Sequence, residues 1–168
     1  YIPGIDQPIV TDYQALTNGT MKPGRNVVVM GGQELGLTVA EYLSEHGAKV
    51  TVVDDSAAIG RDLEGITAAV MLPRIEADPN ITVRVQTNIE AIGPDHVVVQ
   101  CGGQTETISG VDQVVYAWHR DMERDLVEKV SGPFRDQLGL ELHVIGDAVW
   151  PRHPYDAVNE GTRLGRLI

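Results

Sequence analysis

The run Asn26-Val27-Val28-Val29-Met30-Gly31-Gly32-Gln33-Glu34-Leu35-Gly36 reads as a buried strand turning directly into a helix. Its consecutive apolar residues, mostly β-branched, leave no polar side, so both faces of the strand must be covered. Beyond the glycines, Leu35, Val39, Ala40 and Leu43 recur at helical spacing, and Gly47 stands where helix ends favour glycine. Lys49-Val50-Thr51-Val52-Val53 is a second apolar run, closed by Asp54-Asp55. Strand, glycine turn, helix, glycine, strand is a βαβ unit, and its crossover makes the two strands parallel.

Such a unit can hold a dinucleotide. The first glycine lets the strand turn sharply, the second lets backbone approach a diphosphate, and the third lets helix and strand pack closely. The helix start then offers free N–H groups and a partial positive charge. Gly31 and Gly36 fill the first and third places, but Gln33 stands where the second glycine belongs. A Cβ there sits against the diphosphate or forces it outward. Gly31, Gly32, Gln33, Glu34 and Gly36 are the candidate contacts of this turn. Asp54 ends the second strand at about the spacing from Gly31 at which an acid accepts hydrogen bonds from a ribose and repels a 2′-phosphate. The competing readings are a turn that is glycine-rich for geometry alone and an Asp54 that only caps a loop.

Working outward, residues 1–24 carry Pro3, Gly4, Pro8, Pro23 and Gly24 and read as a linker, with a short helical turn at residues 12–16. Residues 67–78 read as a helix that Pro73 must kink or split. Residues 81–85 alternate like a strand. Residues 89–92, 96–101 and 106–108, parted by Gly93-Pro94 and Gly102-Gly103, suggest an antiparallel meander. Residues 113–117 read as another buried strand, 122–130 as helical, 142–145 as the last strand and 156–168 as the last helix. The fold class is therefore α/β: a Rossmann-like three-layer parallel sheet, an antiparallel β-meander crossover and a C-terminal strand–helix.

The chain has 168 residues and a formal net charge of −11. That acidity argues against a nucleic-acid or anionic-membrane partner, both of which need a basic face. No apolar run approaches the ~20 residues of a membrane span. A single cysteine, Cys101, excludes an internal disulfide, a Cys-x-x-Cys pair and a self-contained iron–sulfur site. The composition suits a reducing, cytoplasmic compartment. No histidine, aspartate or glutamate grouping has metal-ligand spacing. A Tyr-x-x-x-Lys pair and a Gly-x-Ser-x-Gly elbow are both absent from the sequence. With a Pro/Gly opening and no initiator Met, the chain reads as a piece of a longer protein.

A third constellation is His143-Val144-Ile145-Gly146-Asp147-Ala148 followed by a helix that includes Ala157. An Asp at a strand's carboxyl end can hold a ribityl hydroxyl, and the next helix start can face a diphosphate. Taken alone, Gly-Asp after a strand is an ordinary turn.

The run from Val27 to Asp54, the meander, Val114-Val115-Tyr116-Ala117 and Ile145-Gly146-Asp147-Ala148 occur in the order seen in the flavoprotein reductases with two dinucleotide domains. The tail Gly146-Asp147-Ala148-Val149-Trp150-Pro151-Arg152, running on to Glu160-Gly161, resembles the Old Yellow Enzyme-like fused reductases. This is the group of 2,4-dienoyl-CoA reductase and trimethylamine dehydrogenase, and the opening Ile2-Pro3-Gly4-Ile5-Asp6 is similar to its link into the NAD(P)H domain. The resemblance implies a linker from an FAD-type domain at 1–24, an NAD(P)H-binding domain at 25–140 and an FAD/ADP-domain segment at 141–168. It implies a nicotinamide cofactor at Gly31, Gly36 and Asp54, NADH being favoured over NADPH, with hydride passing to a flavin. It also implies FAD or ADP at Gly146, Asp147 and Ala157, as half a site. FMN and a 4Fe–4S cluster are expected only in the parent protein. The partners it implies are the dinucleotide and the rest of that flavoprotein, which is expected as a homo-oligomer.

Two departures oppose a working nicotinamide site. Gln33 replaces a glycine, and Ala117-Trp118-His119 stands where the group has Ala-Thr-Gly. Either His119 and its neighbours still face the cofactor, with Trp118 stacking on a ring, or the domain is a degenerate scaffold that packs against the FAD/ADP half and partner subunits.

Overall fold

The computed structural model describes residues 1–118, 122, 124–132, 139 and 141–168. The chain divides into two compact units, Tyr1–Trp118 and His119–Ile168.

In the first unit the strands are β1 (Val10–Asp12), β2 (Asn26–Met30), β3 (Lys49–Val53), β4 (Ile81–Arg84), β5 (Thr87–Ile92), β6 (His96–Cys101), β7 (Gln104–Ser109) and β8 (Gln113–Tyr116). The helices are α1 (Tyr13–Thr17), α2 (Glu34–Glu45) and α3 (Gly65–Ala77). Strands β1-β8-β2-β3-β4 form one sheet in that order, and every pairing in it is parallel. Strands β5-β6-β7 form an antiparallel sheet.

The central strand explains the three layers. Successive side chains point to opposite faces, so Val27 and Val29 join the core beneath α2, with Leu43, Val50, Val52 and Val115. Val28 and Met30 join the core beneath the meander, with Ile89, Ile92, Val97, Val99 and Val114. No polar face was available in β2 because neither side meets water. A third cluster, Leu37, Met71 and Ile75, fastens α3 to α2.

Residues 1–24 are more ordered than a linker. Val10–Asp12 lengthens the parallel sheet as an edge strand beside β8, and Ile2, Ile5 and Ile9 pack on the meander core. Three residues are too few to show alternation, and they become a strand because β8 offers them a free edge. Asp12 caps α1 by accepting the Gln14 N–H at 2.8 Å. Helix α3 runs on through Pro73, which is exposed, so the carbonyl it leaves without an N–H can turn to water. Gly47, at φ +84°, closes α2 as read from the sequence: its N–H donates to Ser44 O, and that of Ala48 to Leu43 O.

The second unit holds α4 (Asp125–Val130), a 3₁₀ turn (Gly146–Ala148) and α5 (Pro154–Leu164). The strand expected at 142–145 does not form. Ile145 is extended, at φ −140° and ψ 165°, but a strand needs a ladder partner, and residues 142–145 pair with no strand among the described residues. Helix α5 begins two residues earlier than read. Pro154 takes its first turn, where a missing N–H costs nothing.

Candidate functional site: the glycine turn after β2

Gly31 leaves β2 at φ +107°, a conformation that disfavours any side chain. Its N–H donates to Val53 O at 2.9 Å, which binds the turn to the end of β3. A Cβ on Gly36 would lie 1.8 Å from the Gly31 carbonyl oxygen, so only glycine lets α2 sit this close to the strand. These are the roles the spacing predicts for the first and third glycines.

Asp54 is 2% exposed. Its Oδ2 accepts the Gly32 N–H at 2.5 Å, and its Oδ1 accepts the Ser56 N–H at 2.8 Å and the Ser56 hydroxyl. The carboxylate thus buckles the end of β3 to the glycine turn. Buried charge is tolerated because N–H and O–H donors replace its water.

The side chain of Gln33 turns sideways rather than forward. Its Oε1 accepts the Arg61 N–H at 3.1 Å, and its Nε2 lies 3.4 Å from Ser56 Oγ. Glu34 opens α2, and its N–H donates to Asp62 Oδ1 at 2.8 Å. The Gly60 N–H donates to Gly32 O at 2.7 Å, and a Cβ on Gly32 would meet Ile59 Cγ2 at 2.7 Å. Gly31, Gly32, Gln33, Glu34, Gly36 and Asp54 are therefore brought together, with residues 56–62 laid across them. Ser56, Ile59 and Asp62 were not among the candidate site residues read from the sequence. Asp62 is 28 positions from the N–H it caps, beyond the reach of any local pattern.

Trp118 is half-buried and packs on the meander core, beside a small cavity lined by Met30, Val53, Asp55, Thr87 and Ile89. His119 lies outside the described residues. A separate cleft of about 310 Å³, lined by Asn26, Lys49, Asn80 and Thr82 among others, opens at the amino ends of β2, β3 and β4. It is at the opposite end of the strands from the glycine turn, whereas open parallel sheets bind ligands at the carboxyl ends.

In the second unit Gly146, Asp147 and Ala157 also come together. Gly146 has φ +63°, and a Cβ on it would lie 3.2 Å from that of Ala157. Its N–H donates to Glu160 Oε2 at 2.7 Å, and Arg152 pairs with Glu160 Oε1. The Arg152 N–H lies 3.4 Å from Asp147 Oδ1. The Arg152 guanidinium, helped by the Gly146 N–H, holds the Glu160 carboxyl below the usual carboxylate range. The same hydrogen bond raises Arg152.

Among the described residues, no helix is long and apolar enough to cross a membrane.

The chain is similar to known proteins in sequence and fold. The chain is 30% identical over 142 residues to an NADH oxidase of Thermoanaerobacter brockii, covering 84% of the chain and 21% of that protein. It is 25% identical over 171 residues to a metal reductase of Desulforamulus reducens, covering 84% and 25%. The chain thus spans about a quarter of the length of these curated relatives. Among solved structures, a 2-naphthoyl-CoA reductase in complex with 2-naphthoyl-CoA superposes with a TM-score of 0.81 at 30% identity, covering 98% of the chain and 24% of that protein. The 6-hydroxypseudooxynicotine amine oxidase of Pseudomonas geniculata N1 shares the fold, with a TM-score of 0.83 at 23% identity, covering 98% and 25%. The family model described as pyridine nucleotide-disulphide oxidoreductase matches residues 2–147. The chain belongs to the pyridine nucleotide-disulphide oxidoreductase family.

Proposed function

We propose that the chain is the pyridine-nucleotide domain of a larger flavin-dependent oxidoreductase of the Old Yellow Enzyme-like fused group, with NADH the favoured ligand of the glycine turn. The observation that carries the reading is the joined geometry of Gly31, Gly36 and Asp54. Gly31 makes the turn, Gly36 seats the helix against it, and Asp54 holds the Gly32 N–H at 2.5 Å. This backbone fits a diphosphate: it places the amino end of a 12-residue helix at the carboxyl edge of a parallel sheet.

NADH, when bound, supplies a hydride. The chain's own part is to bind and orient. The turn and the α2 start face the diphosphate, and Asp54 sets the turn while its charge opposes a 2′-phosphate. In the second unit, Gly146, Asp147 and the α5 start supply half of an FAD or ADP site, completed by the rest of the protein. A chain with one cysteine cannot hold a 4Fe–4S cluster by itself, so that group and FMN are assigned to the parent.

Calorimetric titration with NADH tests the proposal. Saturable heat is the expected result, with NADPH weaker. Absence of heat at millimolar NADH, in the protein and in its Asp62 variants below, defeats it.

A second reading is favoured by Gln33 and Asp62. Their contacts fill the first turn of α2 with the chain's own groups, as in a scaffold that no longer takes a nucleotide. A Gln33→Gly change separates the two readings. Tight NADH binding by the unaltered protein, weakened by this change, ends the scaffold reading.

A further inference from the structure

We infer that residues 59–62 form a strap that closes the glycine turn, with the Asp62 carboxylate standing in for the diphosphate until a dinucleotide displaces it. The inference rests on the dinucleotide reading above and adds to it a gate.

Consecutive residues of the strap engage consecutive residues of the turn. Gly60 N–H donates to Gly32 O at 2.7 Å. Arg61 N–H donates to Gln33 Oε1 at 3.1 Å. Asp62 Oδ1 accepts the Glu34 N–H at 2.8 Å. Ile59 lies over Gly32, where even a Cβ would come within 2.7 Å of it. The backbone a diphosphate must approach is therefore covered, and an N–H it would use is engaged.

Electrostatics make the two states exclusive. The start of a helix attracts anions through its free N–H groups and dipole; here Asp54 holds the Gly32 N–H and Asp62 the Glu34 N–H. A carboxylate and a diphosphate at the same N–H would repel each other at contact distance, so binding one releases the other.

Opening the strap lifts Ile59 off the cluster of Leu37, Met71 and Ile75 and uncovers the buried Gly60, but leaves those three core residues packed on one another. Residues 54–64 contain no helix or strand, a connection longer than the usual few residues between elements. Arg61 and Asp62 are exposed and Ile59 is half-buried, and Gly60 holds a left-handed φ of +63°. Asp54 and Ser56 stay bound to each other through a separate set of hydrogen bonds.

An ordinary helix cap would use the same Asp62 contact, and substitution tells cap from gate by sign. Removing a cap lowers stability and leaves NADH affinity equal or weaker. Removing a gate raises affinity. The experiment is NADH calorimetry on the unaltered protein, Asp62→Ala and Asp62→Asn. Both variants are expected to bind on the order of tenfold more tightly, since each removes the competing charge. If Asp62→Ala does not fold, Asp62→Asn decides, because its amide oxygen can still accept the Glu34 N–H. Equal or weaker binding by the folded variants, with the unaltered protein binding, overturns the gate and leaves the dinucleotide reading standing. Absence of binding in all three overturns both. Hydrogen exchange gives an independent check: NADH is expected to speed exchange at the Gly60 and Arg61 N–H groups, and unchanged exchange at saturating NADH overturns the gate.

Discussion

Gly36 shows how one missing atom sets a distance. Its absent Cβ would fall 1.8 Å from the Gly31 carbonyl oxygen, which is backbone and cannot step aside. Gly36→Ala must therefore push α2 away from β2 and open the core that Val27, Val29, Ala40 and Leu43 share. Overpacking of this kind typically costs about 1–3 kcal/mol, and backbone contact puts this case at the upper end or beyond. A denaturant titration is expected to show a lower midpoint with little change in slope. The glycine pattern was legible because it is local and its geometry recurs. The side chain of Gln33 was not. The sequence predicts a Cβ obstructing a diphosphate, but where the amide turns depends on Ser56 and on the Arg61 N–H, 28 positions away.

At the scale of elements, α2 and α5 make different use of their neighbours. Helix α2 buries one face and ends in a glycine cap, both visible as spacing in the chain. Helix α5 buries no residue, and its contact with the 3₁₀ turn combines the close approach of Ala157 to Gly146 with polar groups. Glu160 reaches back to the Gly146 N–H while Arg152 holds its other oxygen. Because this carboxyl titrates below its usual range in the folded chain, its contribution is fully present above the ordinary carboxylate pKa. It is lost as pH falls through the lowered value. The Gly146 amide proton followed by NMR on acidification should therefore hold its shift to lower pH than a free carboxylate would allow. In Arg152→Ala that transition is expected to move up toward the ordinary range.

Over the molecule as a whole, stability of the first unit comes from covering both faces of the parallel sheet. Leu37 is fully buried and connects α2 to Met71 and Ile75 of α3. Leu37→Ala should cost about 2–5 kcal/mol, as buried Leu→Ala changes do, read as a shift in the thermal or urea midpoint. Its position three residues past Glu34 also makes it a test of the site. Loosening α3 frees the connection that carries the strap, so NADH affinity should not fall in step with stability.

The order β2–α2–β3, the meander and the last helix were legible from residue spacing, because periodicity and glycine placement act over a few positions. So was the tight glycine turn that joins β2 to α2. Tertiary structure alone decided the rest. Val10–Asp12 is a strand because β8 presents an open edge, and residues 142–145 are not one because they meet no such edge among the described residues. Asp54 and Asp62 are both acids in the stretch after Val52, yet one is buried under the turn and the other caps the helix. Hydrogen bonds are short-ranged, and the donor each carboxylate meets is delivered by the fold from a distant part of the chain.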